Sequence, residues 1–111
     1  ATGVAFTSVG LNFYRDGADS VAPHSDLDDI VGGFPVALLS LGATPRMTIR
    51  AKQPPARSIH VDLTAGSLLL MSFETQLHYT HGVPKTHARV GPRISLALRV
   101  KPPRRATDRG V

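Results

Sequence analysis

Ten glycines and nine prolines punctuate this 111-residue chain. They leave no stretch longer than ten residues with the 3.6-residue apolar period of a helix. Short runs between them read as strands at 4–12, 36–41, 47–52, 58–63, 67–73, 76–81 and 93–100. Turn signals separate the runs, among them Asp16-Gly17, Gly32-Gly33, Thr44-Pro45, Pro54-Pro55, Ala65-Gly66, Gly82-Val83-Pro84 and Gly91-Pro92. Seven strands at this spacing imply an all-β or mainly β sandwich or barrel. Residues 20–30 read as a bent strand running into a loop. The length implies one domain, over residues 1–100, followed by a basic, flexible tail at 101–111.

Hydrophobic residues make up 41% and charged residues 19%, a globular balance rather than a disordered one. The absence of cysteine excludes a disulfide scaffold, a zinc–cysteine site and thiol catalysis. No apolar run approaches the ~20 residues of a membrane span. No charged-then-apolar signal segment opens the chain either. The expectation is a soluble, cytoplasmic protein (nuclear if eukaryotic), without a membrane partner. Net charge is +5, which favours a polyanionic partner. Much of it sits in the tail, however, on Lys101, Arg104, Arg105 and Arg109.

The last strand alternates cleanly. Ile94, Leu96, Leu98 and Val100 share one face, which is expected to pack; Arg93, Ser95, Ala97 and Arg99 share the other. Two arginines flanking a small floor suit a cavity that holds an anion, because a guanidinium forks a carboxylate. An ordinary exposed face is the alternative.

His24-Ser25-Asp26 is an H-x-D pair, whose first and third side chains share a side in an extended segment. Imidazole and carboxylate can then converge on one metal. The third ligand comes from elsewhere, and His60, His78, His81 and His87 are available. Two His and one carboxylate on one face of a metal leave positions open for a chelating co-substrate and dioxygen.

Six segments occur in an order that matches a known family. They are Asn12-Phe13-Tyr14-Arg15-Asp16-Gly17, His24-Ser25-Asp26-Leu27-Asp28, residues 35–43, residues 66–71, His81-Gly82-Val83-Pro84-Lys85 and residues 92–99. Over residues 6 to 100 the chain resembles the AlkB family of Fe(II)/2-oxoglutarate dioxygenases, in the branch that repairs alkylated nucleic acid. The resemblance implies a double-stranded β-helix, or jelly roll.

It also implies roles. His24, Asp26 and His81 correspond to the catalytic Fe(II) ligands, with His81 in the family's H-x-[IVL]-P segment. His78 lies off that pattern, and His60 and His87 match no ligand position. Asn12 and Tyr14 resemble the N-x-Y pair that binds 2-oxoglutarate. Arg93, Ser95 and Arg99 fall on the R-x-N-L-x-x-R pattern, with Ser95 where the family has Asn. One arginine is expected on the distal carboxylate of 2-oxoglutarate beside Tyr14, the other near the metal end and its Asp. Asp28 is expected on the amino group of a flipped base, with a loop carboxylate beside Asp29 as the alternative reading. Arg50 is expected on a phosphate, within a stripe formed by residues 46, 48, 50 and 52, unless that stripe is a solvated face.

The implied activity is oxidative demethylation of 1-methyladenine- or 3-methylcytosine-type lesions in DNA or RNA, single-stranded by preference, with release of formaldehyde. Fe(II), 2-oxoglutarate and dioxygen are the implied cofactors. The family's lid over the flipped base precedes the N-x-Y motif, and only eleven residues, starting with Ala1, precede Asn12 here. The expectation is therefore a catalytic core without most of that lid, or a piece of a larger protein. Two other readings are an oxygenase of the same chemistry acting on another substrate, and a non-catalytic jelly-roll binding module.

Overall fold

The computed structural model describes residues 3–27 and 30–102. Among these residues the order of elements is β1 (Ser8–Tyr14), β2 (Val21–His24), β3 (Val36–Gly42), β4 (Arg46–Ala51), β5 (Ser58–Asp62), β6 (Leu68–Met71), the short helix α1 (Phe73–His78), β7 (Tyr79–Val83) and β8 (Arg93–Arg99). They form two four-stranded antiparallel sheets, in the orders β1-β8-β3-β6 and β2-β7-β4-β5. This is the jelly roll that the family resemblance implied, and β2, within the bent segment at 20–30, is the strand added to the seven expected. Among the described residues no helix is long and apolar enough to cross a membrane.

The core lies between the sheets. Val36, Leu38, Met71 and Ala97 come from one side; Met47, Ile49 and Val83 come from the other. Val36 and Leu38 on β3, Met47 and Ile49 on β4, and Ser95 and Ala97 on β8 are alternate residues, as the pleat requires. The turn after β3 needs Gly42, whose φ is +89°, and a Cβ there would collide with the Pro92 carbonyl.

Two sequence expectations fail here. The strand expected at 76–81 begins only at Tyr79, because Phe73–His78 is helical. Ser72 caps that helix by accepting from the Thr75 N–H at 3.2 Å. Six residues are too few to reveal a helical period, so the cap was the only local signal.

The second concerns β8. Its apolar face is not the inward one. Arg93, Ser95 and Ala97 are 3%, 1% and 3% exposed and face the core. Leu96 and Leu98 pair with Leu11 and Val9, and Ile94 with Phe13; these three β1 residues are 58–64% exposed. The apolar residues of β8 therefore belong to the outer face of this sheet, together with Leu41, Leu68 and Leu70.

Candidate metal and dicarboxylate site

β2 and β7 are neighbours, and their register sets His24 opposite His81. The two ring centroids lie 4.4 Å apart. Asp26, two residues beyond His24, turns its carboxylate between them. Its Oδ1 is 3.5 Å from His24 Nε2 and its Oδ2 is 3.7 Å from His81 Nε2. One ligand atom from each of the three residues lies within 4.8 Å of the others. Asp26 and His81 are buried, and His24 is part-exposed. His24 Nδ1 lies 2.9 Å from the Ala22 carbonyl oxygen. A carbonyl only accepts, so Nδ1 carries a proton and Nε2 is the nitrogen left toward the carboxylate.

The charges around this triad are balanced internally. Burial opposes ionisation of Asp26, but His24, Arg99 and His81 outweigh it and hold the carboxyl below its ordinary value. Hydrogen bonding to Asp26 raises the His24 imidazole, whereas burial, then repulsion from His24, lowers His81. Arg99 Nη2 reaches Asp26 Oδ1 at 3.4 Å. A Cβ on Gly10 would lie 3.0 Å from Arg99 Nη1, so a glycine there leaves room for the guanidinium. Two imidazole nitrogens and a carboxylate are a donor set that suits Fe(II) and related divalent metals.

The other end of β8 is organised differently. Arg93 stacks on Tyr14, 4.7 Å from the ring centroid, and Nη2 donates to Ser40 Oγ at 3.2 Å. Its Nε and Nη1 are buried and have no hydrogen-bond partner among the described residues, and at the other end only Nε of Arg99 shares that state. Burial lowers the Arg93 pKa. Each unsatisfied buried donor costs about 1–3 kcal/mol, more when charged. Such a cost is recovered when a carboxylate enters, so this end fits one end of a dicarboxylate. Two positions the sequence left undistinguished are thereby separated: Arg93 is the arginine beside Tyr14, and Arg99 is the one at Asp26.

A cavity of about 210 Å³ connects the two ends, lined by Asn12, Tyr14, His24, Asp26, His81, Arg93, Ser95 and Arg99 together with apolar core residues. A larger cavity of about 460 Å³ shares only Tyr14, Val83 and Arg93 with it and contains none of the triad. The chemistry-bearing cavity is the smaller one.

The remaining expectations divide. His60, His78 and His87 lie exposed and outside the triad; His60 Nδ1 sits 3.2 Å from Thr48 Oγ1. Asp28 and Asp29 lie outside the described residues. Arg50 is exposed on the outer face of β4, with Nε donating to Ser58 Oγ at 3.3 Å. The basic stripe around it shrinks, because Arg46 pairs with Asp62 at 3.2 Å. Lys52 lies past the end of β4 and donates to Ser25 Oγ and the Gln76 carbonyl. Sequence reasoning missed Ser40 and Gln76, both fully buried. A polar residue on the inner alternation Val36-Leu38-Ser40 was a readable signal for the first. Nothing local marked the second.

Residues 1–99 match the sequence profile of the 2OG-Fe(II) oxygenase superfamily. The alpha-ketoglutarate-dependent dioxygenase alkB homolog 3 of Mus musculus is 39% identical over 107 residues, 88% of this chain and 37% of that protein. The DNA oxidative demethylase ALKBH2 of Homo sapiens is 32% identical over 106 residues, 88% of this chain and 41% of that protein. This chain thus spans about two fifths of the length of these curated relatives. The solved structure of OsALKBH1 shares the fold, with a TM-score of 0.71 at 21% identity over 86% of this chain and 50% of that one.

Proposed function

The chain belongs to the 2OG-Fe(II) oxygenase superfamily, and from that premise we propose that it carries the catalytic core of an oxidative demethylase acting on N-alkylated bases in DNA or RNA. The carrying observation is the pairing of two half-sites in one cavity. His24, Asp26 and His81 converge at one end, and a buried guanidinium with two unpartnered N–H groups waits at the other. The naming of relatives as DNA oxidative demethylases supports the substrate class.

Fe(II), 2-oxoglutarate and dioxygen would together supply the oxidation of the N-methyl carbon that ends in formaldehyde and the unmodified base. The protein's part is positional. His24, Asp26 and His81 are the residues that would hold the metal. His24 and, after it, Arg99 favour the ionised form of Asp26, and Arg99 Nη2 stands beside its Oδ1. Arg93, supported by Tyr14 and Ser40, binds the distal carboxylate. Asn12 and Ser95 line the space between. Ser95 keeps a hydrogen-bonding hydroxyl but reaches less far than an asparagine. For the substrate, Asp28 is the proposed acceptor for the exocyclic amino group of the flipped base, where a carboxylate favours a cationic methylated ring. Arg50 is the proposed phosphate contact. A single-stranded substrate spares the cost of unpairing. Residues 1–100 are the proposed catalytic domain, and the cytoplasm, or the nucleus of a eukaryote, is where such substrates lie.

The test is a single-stranded oligonucleotide carrying 1-methyladenine or 3-methylcytosine, incubated with the protein, Fe(II), 2-oxoglutarate and ascorbate and read by mass. Loss of one methylene mass that depends on 2-oxoglutarate is the expected result. Succinate without that loss would reject the substrate class, and neither product would reject the catalytic reading of this chain.

A further inference from the structure

We propose that Gln76 and Lys52 are positioning residues that clamp the His24-Ser25-Asp26 segment, so that its carboxylate meets both imidazoles at one point. The proposal rests on the reading of His24, Asp26 and His81 as metal ligands.

The sheet places His24 but not Asp26. β2 ends at His24, whose ladder partner is His81, and the β2–β7 register is irregular between Val21 and His24. Ser25 and Asp26 lie beyond the strand. Strand alternation therefore does not decide where the Asp26 carboxylate points. Something outside the ladder must hold it.

Gln76 supplies that hold. Its Oε1 accepts the Asp26 N–H at 2.8 Å, across fifty positions of sequence. Gln76 is 0% and Asp26 3% exposed, so water does not compete for the bond. The main-chain carbonyl of the same Gln76 accepts from Lys52 Nζ at 3.0 Å. Lys52 Nζ also donates to Ser25 Oγ at 3.2 Å. Asp26 is thus tied to Gln76 directly through its backbone, and Ser25 indirectly, because its side chain bonds the same Lys52 Nζ that bonds the Gln76 carbonyl. The Lys52 N–H donates to the His78 carbonyl at 2.9 Å, which anchors the lysine to the same helix. Satisfying a buried N–H would by itself explain only the first bond. The second, made by an exposed lysine that gives up side-chain freedom, is explained by a segment that must keep one shape.

Groups behind metal ligands typically change metal affinity 10–100-fold when removed. The experiment titrates Co(II), whose visible bands report coordination geometry, into the full chain and its variants. Gln76→Leu is expected to weaken binding about 10-fold or more and to alter the bands. Lys52→Met is expected to weaken it less. The double variant should lose less than the product of the two single losses, because they act on one segment. Leu63→Ala, in the core away from the triad, should lower Tm while leaving Co(II) affinity and bands unchanged. Wild-type affinity and bands in both Gln76→Leu and Lys52→Met would overturn the clamp, as would a matching loss in Leu63→Ala. If Gln76→Leu does not fold, Lys52→Met decides alone, and wild-type binding in it overturns the proposal. Wild-type protein that binds no Co(II), or His24→Ala that binds it equally well, would show instead that the ligand assignment is wrong, and the clamp falls with it.

Discussion

Arg93 and Arg99 stand on the same face of one strand, six residues apart, yet they sit in opposite electrostatic situations. Arg99 meets a carboxylate from within the fold, Asp26. Arg93 meets an aromatic face and one hydroxyl, and keeps two buried nitrogens unpartnered among the described residues, where Arg99 keeps one. An arginine neutralised internally serves as scaffold for its partner. An arginine left short of acceptors holds capacity for a ligand, at a cost to the unliganded fold. The two ends of the cavity differ in whether the fold itself supplies the arginine with a carboxylate.

The largest effects are expected at the triad. His24→Ala or Asp26→Ala should bring formaldehyde release to background while the circular dichroism stays that of a β protein; substantial turnover in either variant would remove the metal end from the argument. The next effect in size separates the two arginines. Arg93→Met should raise the KM for 2-oxoglutarate about 30-fold or more, equivalent to the ~2 kcal/mol lower bound for losing one partner of a buried charge pair. Its unliganded Tm should hold or rise, because unpaired donors are removed. Arg99→Met should lower Tm, because Asp26 loses its guanidinium. Tm shifts of the same sign in both variants would undo the distinction.

Ser95→Asn sharpens the middle of the cavity. A longer side chain that reaches the co-substrate should lower its KM by about 2–10-fold, the worth of one hydrogen bond, as measured by succinate production. The smallest effect is expected at Arg15–Asp19, a bidentate pair outside the cavity. Hydrogen bonds from Arg15 hold the Asp19 carboxyl well below the usual carboxylate range. A depressed carboxylate contributes stability above its unfolded pKa and loses it as pH falls, so any contribution disappears in acid. Solvent screens an exposed pair. Asp19→Asn should therefore shift Tm at neutral pH less than Arg99→Met does, and its difference from the wild type should begin to shrink as pH falls to about 4 and close only well below that. A larger shift in Asp19→Asn would mean that exposure, not burial, governs these pairs.

Much of the site was legible because its parts are local in sequence. His24 and Asp26 sit two residues apart, and Tyr14 and Asn12 share one side of β1. The family resemblance supplied His81, and the β2–β7 register then set it opposite His24. Less local features were hidden. The helix at Phe73–His78 is too short to show a period. Gln76 reaches its partner across fifty positions. Lys52 looked like part of an exterior stripe and instead ties Ser25 to α1.

By itself the sequence determined that Arg93, Ser95, Ala97 and Arg99 share a side, because the strand period is two and covalent geometry enforces it. It also placed an imidazole and a carboxylate two residues apart, within reach of one metal once the fold holds Asp26 in place. Only the tertiary structure decided which side of β8 faces inward and which arginine meets Asp26. An alternation has a period but no sign. The sign came from the second sheet, which covers one face of the first and so decides which residues lose their water.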